Sequence, residues 1–364
     1  MQGAAASRPL FGDFCSGILI DPIDSAGVLR VFASRPADRP VKYLVTGAAG
    51  FIGSHLTDAL LSRGHEVVGL DNFSTGQDRF LDDAAHCDRF TLIRGDLLDG
   101  FSLRRAMDGV DAVYHLAANA DIRGGLASPR TDLQQNTMAT FDVLEAMRAA
   151  GCTRIIFASS AAALGEPDIV PTPETCPMPV QTSLYGASKM AGEGLISAYC
   201  EGYRFEGYAF RFVSLLGPRY PHGHVFDFVK QLVADPSRLR ILGDGSQRKS
   251  YLHVEDCVRA LMQICEDVRP ALRGPRKYEV YHLGVPAWCF VRDSVRWICE
   301  ELNLSPRLEF GAGDRGWVGD NPFVFLDVRK AIDAGWAPVH DIEGSVRETV
   351  RWLMDNRWIL ERRR

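Results

Sequence analysis

The sequence of 364 residues lacks the features that mark membrane proteins and nucleic-acid-binding proteins. No apolar run approaches the roughly 20 residues that a membrane-spanning helix needs. The net charge is −5, and the terminal basic block, Arg362–Arg364, is best explained as a frayed helix end. We therefore expect neither a membrane nor a nucleic acid as a partner.

Paired cysteines are also missing from the sequence. The nine cysteines are odd in number and scattered, and none belongs to a Cys-x-x-Cys pair. This pattern differs from a disulfide framework or a zinc ribbon and favours reduced thiols. We therefore expect a cytoplasmic protein without a metal site.

Residues 1–40 show little regular hydrophobic patterning. They are rich in Ala, Pro, Asp and Arg, and their apolar residues form only a short patch, Gly17–Ile20. A secretory signal needs a basic start that leads into a longer apolar core. We therefore predict a poorly ordered N-terminal extension and a first strand that starts near Val41.

A glycine-rich segment follows this predicted strand and precedes an amphipathic helix. Its glycines, Gly47, Gly50 and Gly53, permit a tight turn and let a pyrophosphate approach the helix N-terminus. A second strand ends at Asp71, whose carboxylate can accept from the ribose hydroxyls of NAD and would repel the extra phosphate of NADP. The predicted NAD-binding residues of this region are Gly47, Gly50, Phe51, Ile52, Gly53, Asp71 and Asn72.

Strands and helices continue to alternate after Asp71, with predicted strands at 90–97, 112–118 and 154–160. Such alternation predicts a parallel sheet whose ligands bind at the carboxyl ends of the strands. The cofactor residues predicted at that edge are Asp96, Leu97, Leu116, Ala117 and Ala118.

Tyr185 and Lys189 are four residues apart, which places them on one face of a helix. The ammonium group is expected to lower the pKa of the phenol, so that the tyrosinate can take a proton from a sugar or alcohol hydroxyl. Ser160 ends a predicted strand upstream and can donate a hydrogen bond to the same substrate oxygen. We predict these three residues to be catalytic.

With these motifs the sequence resembles the extended short-chain dehydrogenases/reductases, in their NAD-dependent nucleotide-sugar epimerase/dehydratase group. The resemblance runs from about Val41 to about Trp352 and includes Asp71–Gly76, Gly95–Leu97, His115–Ala118 and Tyr185–Lys189. Within the group it is nearest to prokaryotic UDP-glucose (UDP-galactose) 4-epimerases, through Ile241–His253, Arg315–Asp320 and Gly335–Pro338.

The resemblance implies Ser160, Tyr185 and Lys189 as the catalytic triad, and Tyr185 and Lys189 also as cofactor contacts, since the lysine holds the nicotinamide ribose. It further implies a homodimer built from helices at about 131–149 and 185–200. We predict that the nucleotide-sugar substrate is bound by Arg123, Ser159, Ser160, Ser214, Arg219, Arg248, Lys249, Arg315 and Asp320.

The implied fold class is α/β, a Rossmann-type doubly wound parallel sheet with a smaller C-terminal substrate-binding lobe. We predict an NAD-binding domain over 41–210 and a C-terminal tail over 353–364. The segment between them, 211–352, is expected to form mainly the nucleotide-sugar lobe, with some chain returning to the first domain.

Two alanines limit the predicted chemistry. Related 4,6-dehydratases follow the catalytic serine or threonine with an Asp-Glu pair, and this chain has Ala161 and Ala162 there. The primary prediction is therefore a 4-epimerase of a nucleotide sugar, with a UDP-sugar as the expected substrate. A dehydratase or decarboxylase using the same 4-keto intermediate is the alternative, and a non-catalytic NAD-binding protein is a third. Departures at Leu164, Ser214 and Trp317 leave the sugar and the base open.

Overall fold

The computed structural model describes residues 40–177, 180–268 and 277–361. The predicted N-terminal extension, apart from Pro40, and the terminal arginines Arg362–Arg364 lie outside the described residues. Among the residues that are described, no helix is long and apolar enough to cross a membrane.

The first half of the chain alternates strands with helices. Its strands are β1 (Lys42–Thr46), β2 (Glu66–Asp71), β3 (Phe90–Arg94), β4 (Ala112–His115), β5 (Arg154–Ala158) and β6 (Glu206–Phe212). Its helices are α1 (Phe51–Ser62), α2 (Gly100–Ala106), α3 (Pro129–Asp132), α4 (Ala139–Ala150) and α5 (Leu184–Tyr203). A π-helical turn, Leu133–Met138, joins α3 to α4, and a 3₁₀ turn, Ala161–Leu164, follows β5.

The second half has shorter strands. They are β7 (Ser214–Leu216), β8 (Arg238–Ile241), β9 (Arg248–Lys249), β10 (Tyr251–His253), β11 (Tyr278–Leu283), β12 (Cys289–Phe290), β13 (Arg307–Phe310) and β14 (Phe323–Val324). The helices are α6 (His224–Ala234), α7 (Val254–Met262), α8 (Val291–Glu301), α9 (Arg329–Asp333) and α10 (Ile342–Asp355).

Seven strands form one parallel sheet in the order β11-β6-β5-β4-β1-β2-β3. The chain moves outward from β1 to β3, then returns beside β1 with β4 and continues in the opposite direction. This reversal creates the crevice at the carboxyl ends of β1 and β4 where doubly wound sheets bind ligands. The predicted α/β fold class is confirmed.

The sheet has a hydrophobic core on each face. Along β1, Tyr43 and Val45 belong to one core, and Leu44 belongs to the other. Helices α2, α4 and α5 cover the second face, so the central strands are apolar on both sides.

The remaining strands form three small sheets in the C-terminal half, with orders β10-β7, β12-β9-β14 and β13-β8. Strand β11 pairs with β6 and therefore belongs to the large sheet. The predicted bounds of the two domains stay predictions.

Candidate active site

The turn between β1 and α1 depends on its glycines. Gly47 has a φ of +72°, and a Cβ added there would lie 2.9 Å from the Ala117 Cα. A Cβ on Gly53 would lie 2.0 Å from the Gly47 carbonyl oxygen. The chain therefore packs here at distances that only glycine permits, which brings the β1 and β4 ends together.

The first turn of α1 is suited to an anion. Gly50 caps the helix without a side chain, and the first turn contains no acidic residue. The N–H groups and the dipole at this end favour negative charge, and the cradle formed by Gly47 and Gly53 gives a pyrophosphate room to approach. The predicted contacts Phe51 and Ile52 are the first two residues of this helix.

Asp71 ends β2 and faces the glycine-rich turn. Its carboxylate oxygens accept from the Ala49 N–H at 2.9 Å and from the Phe73 N–H at 2.8 Å. Burial raises the pKa of Asp71, and these two hydrogen bonds oppose that effect. Beside it, the Asn72 amide donates to the Asp96 carboxylate at 2.7 Å, so the polar residues predicted to contact NAD converge on this edge.

The end of β4 is held by a buried polar chain that sequence reasoning missed. The Thr46 hydroxyl accepts from the N–H groups of Leu116 and Ala117, both at 3.2 Å, and lies 2.8 Å from His115 Nδ1. Burial lowers the pKa of His115 to about 3, so the ring is neutral. This chain supports the backbone of Leu116–Ala118 beside Gly47, where a cofactor passes closely.

The predicted catalytic residues meet at the end of β5. The Ser160 hydroxyl lies beside the Tyr185 phenol, where its influence lowers the pKa of that phenol. Lys189 Nζ donates to the Ala158 carbonyl at 2.8 Å and lies 5.8 Å from the centre of the Tyr185 ring. Strand β5 and helix α5 therefore bring together a hydroxyl donor, a phenol and an ammonium group.

The charge of Lys189 does not bring the pKa of the Tyr185 phenol below its ordinary value in this structure. Burial raises the pKa of Tyr185 to about 12, although the neighbouring Ser160 hydroxyl lowers it. Burial also lowers the pKa of Lys189 to about 8. Desolvation of the phenol is the largest influence on its pKa and outweighs the influence of its polar neighbours.

Asn136 is a further site residue that the sequence did not reveal. It lies in the π-helical turn, where its side-chain amide donates to the Ser188 hydroxyl at 2.8 Å and accepts from the Asn119 N–H at 2.8 Å. Ser188 in turn donates to the Tyr185 carbonyl. A π turn at a functional site is common, but the helical pattern continues through it and gives no signal.

Three of the predicted substrate residues form one cluster. Lys249 Nζ donates to the Asp320 carboxylate at 2.8 Å, and Arg315 Nη1 donates to the Asp320 carbonyl at 2.6 Å. Arg315 Nη2 also contacts both carboxylate oxygens of Glu166, at 2.8 and 3.0 Å. Glu166 was not predicted. It lies in the segment that follows β5 and links this cluster to the carboxyl end of that strand.

Ser159, predicted as a substrate contact, is buried in this structure, and its contact with a substrate stays a prediction. It is only 1% exposed, and its hydroxyl donates to the Glu193 carboxylate at 2.5 Å.

Arg248 lies apart from Lys249, and its guanidinium lies 3.7 Å from the centre of the Phe323 ring. Arg219 pairs with Asp58 on α1 at 2.7 Å. Within the described residues, Arg248 and Arg219 therefore have different partners from Lys249, which pairs with Asp320.

The other two predicted substrate residues are accessible. Arg123 pairs with Asp227 on α6 at 3.3 Å, and both side chains are exposed. Ser214 is exposed at the start of β7. Their contact with a substrate stays a prediction.

A separate cluster contains His253, Glu255 and His340, whose potential ligand atoms lie within 4.8 Å of one another. His253 Nδ1 accepts from the Glu255 N–H at 3.3 Å, so this nitrogen carries no proton. A histidine that binds a metal through Nε2 carries its proton on Nδ1 and donates it to a neighbour, which differs from the arrangement here. The two rings also stack at 4.0 Å with an angle of 26°, so their lone pairs do not converge. We interpret the cluster as packing between α7 and the segment before α10.

Comparisons with known proteins agree with this geometry. The profile of the NAD dependent epimerase/dehydratase family matches residues 43–284. A putative UDP-glucose 4-epimerase of Methanocaldococcus jannaschii is 30% identical over 318 residues, which cover 86% of this chain and 98% of that protein.

Solved structures show the same relationship. A UDP-galactose 4-epimerase is 34% identical, with a TM-score of 0.77 over 87% of this chain and 100% of that one. The Thermus thermophilus UDP-glucose 4-epimerase, solved as a complex with NAD, is 27% identical, with a TM-score of 0.73 over 86% and 99% of the two chains.

The fold and site define an NAD-binding protein of the short-chain dehydrogenase/reductase type. The chain belongs to the NAD-dependent epimerase/dehydratase family, and its cofactor is NAD.

Proposed function

We propose that the protein is an NAD-dependent 4-epimerase of a nucleotide sugar, with a UDP-sugar as its substrate. The observation that carries the proposal is the meeting of Ser160, Tyr185 and Lys189 at the carboxyl end of β5, on the edge of the sheet that binds NAD. The similarity to UDP-glucose and UDP-galactose 4-epimerases supports it.

In the proposed mechanism, Tyr185 acts as the phenolate that forms when the phenol gives up its proton, and this phenolate takes the proton of the sugar 4-hydroxyl. Ser160 donates a hydrogen bond to the same oxygen as it becomes a ketone oxygen, which stabilises the developing charge. The glycine-rich turn and Asp71 would hold NAD, which would supply hydride acceptance from C4 and hydride return to the opposite face of the sugar. Tyr185 then returns its proton to the oxygen, so the reaction has no net oxidation and no net proton transfer.

Lys189 contributes charge and position. Its ammonium group lies close to the Tyr185 ring and favours the phenolate whenever the phenol gives up its proton. The bond to the Ala158 carbonyl keeps the lysine directed at the strand end that carries Ser160.

We propose that Lys249 and Arg315 bind the diphosphate. Arg315 already forms a two-oxygen contact with Glu166, a geometry that a phosphate can replace. Asp320 holds both cations in one cluster.

Elimination and decarboxylation are the rival reactions. Ala161 and Ala162 carry no group that exchanges protons, which disfavours the usual 4,6-dehydratase chemistry. The test is to incubate the purified protein with UDP-glucose, UDP-galactose, UDP-N-acetylglucosamine and UDP-glucuronate, and to identify products by mass spectrometry and NMR. Epimers of unchanged mass are expected, whereas products lighter by water or carbon dioxide would overturn the proposal.

The variant Tyr185→Phe distinguishes catalysis from simple NAD binding. We expect it to retain NAD and to lose about 10²- to 10⁴-fold in kcat, the usual contribution of a positioned acid–base group. Tyr203→Phe, at the exposed end of α5, is the matched control. Unchanged turnover in Tyr185→Phe would show that this phenol is not the base.

We further propose a cytoplasmic homodimer. Apolar side chains on the helices implied as the dimer interface are exposed: Leu133, Met138 and Phe141 on the α3–α4 helix, and Leu184 and Tyr203 on α5. Exposed apolar side chains on adjacent helices favour burial against a second copy. The eight cysteines of the described residues are free, which supports a reducing compartment.

A further inference from the structure

Three consecutive residues at the end of β5 are bound to three positions of α5. The Ala158 carbonyl accepts from Lys189, the Ser159 hydroxyl donates to Glu193, and the Ser160 hydroxyl lies beside the Tyr185 phenol. Tyr185, Lys189 and Glu193 follow at intervals of four residues, so they share one side of the helix. Glu193 is the member of this series to which the mechanism assigns no role.

Glu193 is buried, with 4% of its surface exposed, and its carboxylate is fully engaged. One oxygen accepts from Ser159 at 2.5 Å and from Arg211 Nε at 2.8 Å. The other accepts from Arg211 Nη2 at 2.7 Å. A two-point contact with a buried arginine holds the carboxylate in one orientation.

The network continues beyond Arg211 toward the loop that follows the catalytic serine. Arg211 Nη1 lies 3.4 Å from His282 Nε2, and His282 Nδ1 lies 3.0 Å from the Thr172 carbonyl. Burial lowers the pKa of His282 to about 3, so the neutral ring donates to Thr172 from Nδ1 and accepts from Arg211 at Nε2. Glu193 is therefore the point where β5, α5, β6 and this loop are joined.

We propose that Glu193 is a positioning residue for the reaction: it fixes the strand end that carries Ser160 against the helix that carries Tyr185, and it supplies negative charge to Lys189. The inference rests on the proposed function and adds a residue to it. Glu193 acts through Ser159 and Lys189 and touches no reacting atom.

The charge of Glu193 acts on Lys189 in a definite direction. Burial lowers the pKa of Lys189, and the Glu193 carboxylate is the larger of two charges that oppose this effect, the other being Asp132. Replacing Glu193 by a neutral residue therefore lowers the pKa of Lys189 further. A purely structural role for Glu193 would leave this titration unmoved.

The test compares Glu193→Gln with a matched control, Glu206→Gln, in the NAD-bound enzyme. Glu206 pairs with Arg154 at 3.0 Å across the same strands β5 and β6, at their amino ends. We expect Glu193→Gln to lose at least about 10-fold in kcat for the UDP-sugar, with KM changed less than about threefold and NAD still bound. Glu206→Gln should show neither loss.

Two further variants keep the test decisive if Glu193→Gln leaves Arg211 uncompensated and unfolds the protein. Ser159→Ala removes only the link to the strand end, and we expect it to lower kcat without moving the titration of Lys189. The double variant with Glu193→Gln and Arg211→Gln removes both buried charges, so we expect it to fold. Its kcat should be as low as that of Glu193→Gln. Wild-type kcat in Ser159→Ala and in the double variant would overturn the proposal.

A readout without substrate separates this inference from the proposed function. In lysines labelled with ¹³C at Cε, the Lys189 signal is assigned by its loss in Lys189→Met. We expect its titration to shift down by about one pH unit in the folded Glu193 variants, but not in Glu206→Gln. If the Lys189 titration does not shift in these variants, the assigned charge effect is overturned. If it shifts but the wild-type protein turns over no UDP-sugar, only the proposed function is rejected.

Discussion

The Lys189 ammonium group donates to the Ala158 carbonyl at 2.8 Å, two residues before Ser160. This bond keeps a charged group that is only 3% exposed directed at the strand end. Burial of this ammonium group lowers the pKa of Lys189 to about 8, and this shift leads to the first prediction.

Wild-type protein should gain stability relative to Lys189→Met as pH rises. The folded-state pKa of Lys189, about 8, lies below its ordinary value of 10.5, so the unfolded chain binds more protons between these values. The cost of burying the ammonium is therefore full below pH 8 and diminishes as pH approaches 10.5. We expect the difference in unfolding free energy to change by about 2 kcal/mol between pH 7.5 and 9.5, in favour of wild type. Urea denaturation measures it, and a difference independent of pH would contradict the burial effect.

Asp71→Ala should weaken NAD binding and reduce discrimination against NADP. The carboxylate holds the glycine-rich turn through the Ala49 N–H and is placed to accept from the ribose hydroxyls. Losing hydrogen bonds to a charged group should lower NAD affinity by about 10- to 100-fold, as measured by calorimetry. Asp78→Ala, at an exposed carboxylate paired with Arg94, is the control and should bind NAD normally.

Arg315→Gln should raise KM for the UDP-sugar and change kcat little. Its guanidinium lies in one cluster with Lys249 and is prearranged for a two-oxygen acceptor. An increase of about 10-fold in KM is expected from the loss of one charge-assisted contact. Arg296→Gln, at an exposed arginine on α8, should match wild type. A fall in kcat with unchanged KM would place Arg315 outside the diphosphate site.

Phe141→Glu should convert the proposed dimer into a monomer. The side chain is 44% exposed on α4, and a carboxylate there could not be buried between two copies. Sedimentation analysis should show half the mass of wild type. Phe101→Glu, at a more exposed phenylalanine on α2, should leave the assembly unchanged. A wild-type monomer would reject the proposed dimer itself.

Local constraints in the sequence predicted the fold class, the NAD cofactor and the family. A glycine-rich turn between an apolar strand and a helix is identifiable because the geometry it needs restricts the residue type at each position. The i, i+4 spacing likewise placed Tyr185 and Lys189 on one helix face without any tertiary information. These parts of the prediction required only neighbours along the chain.

Tertiary structure decided the partners and the charges. Ser159 and Glu193 are 34 residues apart, Asn136 and Ser188 are 52 apart, and Arg315 and Glu166 are 149 apart. No periodic pattern encodes such pairs, because they depend on how the helices dock against the sheet. The elevated pKa of Tyr185 follows from the same docking, since desolvation is a property of the packed site and residue spacing does not specify it.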